Sequence, residues 1–143
     1  MTKPRVPVVD GLLREEPDGS GRLRGGRCPA CGGSFLPKQW AFCANPACGG
    51  TELADVELST RGTLWSFTDN RYAPPPPYPA REPFEPYGIA AVELADERMV
   101  VLGQLAAGTD IATLSVGSEM HLVIEPLYED DESVRTVWKW KPA

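Results

Sequence analysis

Histidine is nearly absent from this chain of 143 residues, which contains only His121. A histidine-rich metal site would therefore lack a second ligand. His121 itself stands in the alternating run MHLVIE and shares a strand face with Val123, the setting of a packed or surface residue rather than of a catalytic base. No G-x-S-x-G elbow, phosphate loop or dinucleotide fingerprint occurs. No apolar run approaches the roughly 20 residues that a membrane helix requires. Basic residues are outnumbered, 14 against 20 acidic ones, for a net charge of −6. That balance argues against general nucleic-acid binding, because phosphate neutralisation supplies most of such affinity. The opening residues do not read as a secretory signal, and a reducing cytoplasm is expected.

What the chain does hold is a compact set of four cysteines. Cys28 and Cys31 stand as C-x2-C, Cys43 and Cys48 as C-x4-C, with eleven residues between the pairs. Both spacings let a short turn aim two sulfurs at one tetrahedral ion, so a structural Zn²⁺ site is expected, one ion per chain. Gly32 and Gly33 after the first pair, and Gly49 and Gly50 after the second, tolerate the positive φ that such turns need. Two disulfides would allow three connectivities, but the cysteines are paired locally rather than spread. A redox C-x2-C would want a strand before it and a helix after it. Iron in a rubredoxin-like site stays open, since four thiolates alone do not choose between the metals. Phe35, Leu36, Trp40 and Phe42 are expected to form a small apolar core over the metal. With every cysteine so engaged, no thiol is left for covalent catalysis.

Charge is unevenly distributed. Between Gly21 and Gly50 lie four bases, Arg22, Arg24, Arg27 and Lys38, and no acid. Either they offset the thiolates, which outweigh a Zn²⁺ by two charges, or they make a small anion site for the phosphates of a nucleotide-bearing cofactor. The opposite run, Glu129 to Glu132, sits between two strands and reads as a solvated hairpin tip.

Three regions follow: residues 1–26, a docking segment with one short helix over Asp10 to Glu16 capped by Asp10; residues 27–50, the four-cysteine ribbon; and residues 51–143, a β domain. Gly19 to Gly26 reads as a loop. Thr51 to Asn70 alternates and is rich in β-branched and aromatic residues, with Gly62 marking a bulge or bend. Further strands are expected at Tyr87 to Leu94, Met99 to Leu105 with a bend at Gly103, Glu119 to Tyr128 and Val134 to Trp140, with one helical turn at Asp110 to Leu114. Five strands with a long first one and a helical turn between the third and fourth describe an oligonucleotide/oligosaccharide-binding (OB) barrel. Asn70 to Pro86 carries seven prolines in seventeen residues. It cannot be a central strand, and it reads either as an arm presenting Tyr72, Pro74, Pro75, Pro76, Pro77, Tyr78 and Phe84 to a partner chain or as a strap over the barrel. Trp65, Trp138 and Trp140 offer a second reading, a single-stranded nucleic-acid platform on the barrel.

The order of PVVDGLL, the cysteine ribbon, RGTLWSFT, APPPPYP, PYGIAAVEL, MVVLGQL, LSVGSEMHLVIE and WKWKP resembles the acyl-CoA-associated zinc-ribbon/OB-fold family over Pro7 to Pro142. Members of that family accompany thiolase-fold enzymes such as sterol-carrier-type thiolases and aldolases and benzoylsuccinyl-CoA thiolase. The resemblance implies a mainly β protein, a rubredoxin-like zinc ribbon followed by a five-stranded OB barrel. It implies a non-catalytic subunit of a hetero-oligomer that reaches acyl-CoA through its partner; the clustering of Arg22, Arg24, Arg27 and Lys38 without acids in an otherwise acidic chain makes them the expected contacts to CoA phosphates or to acidic residues of the partner. The family's ribbon uses two C-x2-C pairs, so Cys43 and Cys48 imply a wider second knuckle.

Overall fold

The computed structural model describes residues 3–9, 11–18, 20–36, 42–43, 45–71, 74–75 and 85–143. Its strands are β1 (Arg5–Pro7), β2 (Leu13–Glu15), β3 (Gly21–Arg27), β4 (Ser34–Phe35), β5 (Ala54–Glu57), β6 (Arg61–Asn70), β7 (Tyr87–Leu94), β8 (Val100–Leu105), β9 (Glu119–Glu129) and β10 (Val134–Pro142). Among the described residues no helix is long and apolar enough to cross a membrane.

Strands β6 to β10 form the OB barrel. Antiparallel ladders join β6 to β7 and β7 to β8, β8 meets β10 in parallel, and β9 lies between β10 and β6. Closure is narrow, since β8 and β10 pair only at Gln104–Lys139 and Leu105–Trp140. The first part of the same β10 edge is taken by β1, with Arg5 opposite Val134 and Pro7 opposite Thr136. A 3-10 turn at Ile111–Thr113, capped by the Asp110 carboxylate on the Ala112 N–H, joins β8 to β9.

The second sheet is built on β3, which pairs with β2, β4 and β5. Its inner face is not separate from the barrel. Leu13, Leu23 and Leu58, all buried, belong to one apolar cluster with Leu64, Val92, Leu94, Met120, Ile124 and Trp140. Gly21 lies against the barrel so closely that a Cβ there would collide with the Ile124 side chain. On the outside, the Arg5 guanidinium donates to both Glu15 oxygens, at 2.7 and 2.8 Å, and so ties β1 to β2.

The expected first strand over Thr51 to Asn70 is two strands: Ala54–Glu57 pairs with β3 in the second sheet and only Arg61–Asn70 enters the barrel, the chain crossing from one sheet to the other past the buried Leu58. The other four barrel strands fall where the pattern puts them, and Tyr87–Leu94 matches to the residue. The N-terminal segment does not. Instead of a helix over Asp10 to Glu16, Gly11 adopts φ 79° and the chain runs straight into β2; Asp10 lies outside the described residues. So short a helix cannot offset its own nucleation cost, whereas a strand here gains the β3 ladder and buries Leu13. The expected loop at Gly19 to Gly26 is largely strand β3, because Gly21 and Gly25 are required for close approach rather than for freedom: a Cβ at Gly25 would strike the Phe35 carbonyl. The bulge expected at Gly62 lies instead between Leu64 and Ser66, and it turns Trp65 outward at 62% exposure. Gly103 is no bend; it is the floor on which Trp138 and Trp140 pack, where an added Cβ would stand 2.8 Å from Trp138 Nε1 and 2.8 Å from Trp140 Cδ1.

At the β9–β10 hairpin the acidic run has an internal order. Asp130 Oδ1 accepts from the backbone N–H groups of Glu132, at 2.9 Å, and Ser133, at 2.6 Å. These bonds, first that of Ser133, hold the Asp130 carboxyl below its usual range.

Two outcomes test this architecture. Gly103→Ala should destabilise the chain by about 1–3 kcal/mol in urea unfolding, because two packed indoles must move to admit one methyl. Gly108→Ala, at a position with no atom near its added Cβ, should lose less than Gly103→Ala despite its positive φ. Asp130 contributes stability above the ordinary carboxylate range and loses it as the pH falls through the lowered native value. The melting-temperature gap between wild type and Asp130→Ala should therefore be full at neutral pH and shrink in acid; a gap constant with pH would contradict this role.

Candidate metal centre

The two knuckles repeat one local plan. In each, a Cys-Gly-Gly ends the turn: Gly32 and Gly49 take φ of 75° and 70°, a region costly for residues with a Cβ. The first cysteine of each pair then donates its backbone N–H to the carbonyl of the second glycine, Cys28 to Gly33 at 2.9 Å and Cys43 to Gly50 at 2.8 Å. The Gly33 N–H points at Cys31 Sγ, 3.4 Å away. Space at the other second glycine is tight as well, since a Cβ on Gly50 would stand 2.9 Å from Cys28 Sγ and 3.3 Å from Cys48 Sγ.

The two extra residues of C-x4-C are absorbed by Asn45. Its N–H approaches Cys43 Sγ at 3.4 Å, its side-chain oxygen accepts from Ala47 N–H at 3.0 Å, and its carbonyl accepts from Cys48 N–H at 3.0 Å. The wider knuckle thereby delivers its sulfurs as well as the narrow one does. All four sulfurs lie within 4.8 Å of one another, with Cys28 and Cys48 at 3.7 Å and Cys31 and Cys43 at 3.6 Å. Tetrahedral Zn–S bonds of about 2.3 Å require sulfurs about 3.8 Å apart, and the Cys28–Cys48 and Cys31–Cys43 pairs stand close to that spacing.

Left to themselves the thiols differ. The Gly33 N–H brings Cys31 down to about 7, while burial pushes Cys43 up to about 12. Cys28 and Cys43 are buried and Cys31 is exposed. A dication would favour the thiolate at all four.

The bases sort into two groups. Arg22 and Arg24 project from the exposed face of β3, whereas Arg27 lies beside the first knuckle, its Nη2 about 4.0 Å from where a Gly32 Cβ would be. Lys38 lies outside the described residues. Arg14, which the sequence reading passed over, stands directly opposite Arg22. Its partner Glu57, just beyond the acid-free stretch, accepts from Arg14 Nη2 at 2.6 Å. Neither could be found without the β2–β3–β5 register. The apolar cover expected over the metal is partial: Leu36 packs toward the core, Phe42 is 64% exposed, and Trp40 lies outside the described residues.

Of the arm, Pro74 is half-buried and Pro75 exposed. Tyr72, Pro76, Pro77, Tyr78 and Phe84 lie outside the described residues. The three tryptophans do not make a common platform. Trp140 is buried, Trp138 packs on the core and donates Nε1–H to the Leu102 carbonyl at 2.8 Å, and only Trp65 faces out. His121 Nε2 lies 3.1 Å from Glu119 Oε2 on the barrel surface.

Comparison with known proteins agrees with this geometry. Residues 17–54 match the family of ChsH2 rubredoxin-like zinc ribbon domains, and residues 55–125 match the ChsH2 C-terminal OB-fold domain. The benzoylsuccinyl-CoA thiolase subunit BbsA of Thauera aromatica is 43% identical over 70 residues, 48% of this chain and 46% of that protein. The alignment thus spans less than half the length of that relative. A solved chain of the Ltp2-ChsH2(DUF35) aldolase superposes with a TM-score of 0.60 at 29% identity, covering 85% of this chain and 84% of its own.

Elemental analysis should find one zinc per chain. Gly50→Ala, which drives a methyl into Cys28 Sγ, should weaken zinc retention against a chelating dye by at least about tenfold. Gly49→Ala, which meets no neighbour, should weaken it less. Equal effects of the two would show that sulfur crowding does not govern this knuckle.

Proposed function

This chain belongs to the ChsH2-type family of zinc-ribbon and OB-fold proteins, and from that premise we propose that it is a non-catalytic accessory subunit of a thiolase-like enzyme (thiolase, aldolase or acyltransferase) acting on an acyl-CoA. The observation that carries the reading is the joint likeness to a thiolase subunit and to a chain of a two-protein aldolase, the latter over most of this chain. Its own chemistry supports the division of labour. The four cysteine sulfurs converge on one point suited to a metal, and the single imidazole sits on the outer barrel surface beside a carboxylate. The groups that make and break the acyl bond are then supplied by the partner.

In this reading zinc fixes the ribbon, and the ribbon together with the arm at residues 70–86 meets the thiolase-fold subunit. Tyr72, Pro74 to Pro77, Tyr78 and Phe84 form the contact, since a proline-rich segment loses little entropy on binding. The barrel helps to shape the CoA channel, and Arg22, Arg24, Arg27 and Lys38 face CoA phosphates or acidic residues of the partner. The substrate is a lipid, steroid or aromatic acyl-CoA undergoing degradation, and reduced thiolates fit a cytoplasmic location. Nucleic-acid binding is disfavoured by the net charge of −6 and by the burial of Trp140.

Co-expression with a thiolase-fold partner subunit should yield a stable hetero-oligomer, and the partner's acyl-CoA turnover should depend on this chain. Deleting Pro74 to Pro77 should weaken the complex at least about tenfold while leaving the zinc in place. A chain that stays monomeric beside a fully active partner would overturn the proposal.

A further inference from the structure

Six large apolar side chains are well exposed among the described residues, and three of them, Trp65 at 62%, Leu102 at 61% and Val100 at 41%, gather on the outer face of β6, β7 and β8. Register brings them together. Ala90, Val92 and Leu94 of β7 enter the core, so Ile89, Ala91 and Glu93 face outward. Leu102 stands directly opposite Ala91, and Val100 opposite Glu93. On the other side of Ala91 the bulge sets Trp65 beside Ser66, two residues of the bulged strand sharing one partner. Ala91, between Trp65 and Leu102, is only 7% exposed although it is no part of the core cluster. The exposed surface of the three large side chains is roughly 350 Å².

The surroundings define what suits this face. Its charges are already paired, Glu93 with Arg98 at 3.0 Å and, near the arm, Asp69 with Arg71 at 2.8 Å. The rest of the rim is neutral: Thr63, Ser66 and Thr68 on β6, and Gln104 on β8. An apolar centre with a neutral polar rim is the make-up of a protein–protein interface rather than of an anion site. Area agrees. A stable interface takes about 800 Å² from each partner, a little over half of it apolar, and the patch supplies most of that share. The face is also continuous with the arm that the accessory reading gives to the partner, since Asn70 and Tyr87, from which residues 71–86 depart, close the same β6–β7 ladder. There it meets a hollow of about 440 Å³ lined by Asp69, Tyr87, Gln104, Leu105, Ile111 and Lys139, a shape that seats an anchoring side chain.

We propose that the outer face of β6, β7 and β8, centred on Trp65, Ala91 and Leu102, is a second contact surface for the thiolase-fold subunit and takes an uncharged, apolar patch of that partner. The proposal deepens the accessory-subunit reading and rests on it for the identity of the occupant. Trp65 and Leu102 are the anchors, and the bulge is the device that turns Trp65 out of the core.

The test is calorimetric titration of a thiolase-fold partner subunit with the full zinc-loaded chain, in wild type, Trp65→Ser, Leu102→Ser and, as a control away from this face, Val9→Ser. All three side chains are more than half exposed, so the variants should keep their zinc and melt with wild type. Trp65→Ser and Leu102→Ser should each weaken the complex at least about tenfold, and Val9→Ser less than about twofold. If Leu102→Ser fails to fold, Trp65→Ser decides alone. A wild-type complex that both face variants form equally well refutes this surface and leaves the accessory reading standing, as does a loss just as large in Val9→Ser. Absence of a wild-type complex refutes the accessory reading and this occupant with it. Sedimentation of the chain alone completes the test: self-association that Trp65→Ser abolishes would give the face to a second copy and overturn the assignment.

Discussion

Three leucines contributed from outside the barrel hold this protein together. Leu13, Leu23 and Leu58 enter the same apolar cluster as Leu64, Leu94, Met120 and Trp140, and burying each contributes about 1.5–3 kcal/mol relative to exposure. The sheet built on β3 is consequently a lid on the barrel rather than a module on a tether. The position of the cysteine site follows from that lid, since β3 runs directly from the shared core at Leu23 into the first knuckle at Cys28. The ion pairs that also bridge the two sheets, Arg5–Glu15 foremost, lie partly exposed, and pairs of that kind contribute far less than the apolar contacts beneath them.

Beyond the lid the chain has too few apolar residues to fold by burial, and backbone geometry takes over. The two Cys-Gly-Gly ends give one solution used twice: a positive-φ glycine turns the chain, and the next residue has no Cβ to crowd the sulfurs. Asn45 shows how a knuckle two residues longer reaches the same end. Its side chain and backbone fill the added length with hydrogen bonds, so that spacing in sequence and spacing of sulfurs in space are only loosely linked.

Legibility differed between the two halves for a physical reason. In the barrel, β9 buries Met120, Leu122 and Ile124 in alternation and so carries its periodicity openly, β7 reads as a short apolar run bounded by turn residues, and the 3-10 turn is marked by its Asp110 cap. In the lid, β2 and β3 are short, rich in arginine and glycine, and gain their ladder only from one another. Gly21 and Gly25 read as loop because a glycine selected for close approach looks the same in sequence as one selected for freedom. Gly62 and Gly103 misled in the related sense: both serve close contact with a neighbouring strand, Gly62 with β7 and Gly103 with β10, while the bulge fell at Trp65, which no residue type announces.

The sequence by itself determined the four-cysteine set and the last four barrel strands, because each is written in local spacing or pattern. Only the tertiary structure decided that the N-terminal segment is strand, that two of the three tryptophans turn to the core, and that Arg14 and Glu57 join Arg22 and Arg24. Those outcomes depend on which strands pair and in what register, and pairing between residues tens of positions apart is fixed by the closing of a common core rather than by any local stretch of chain.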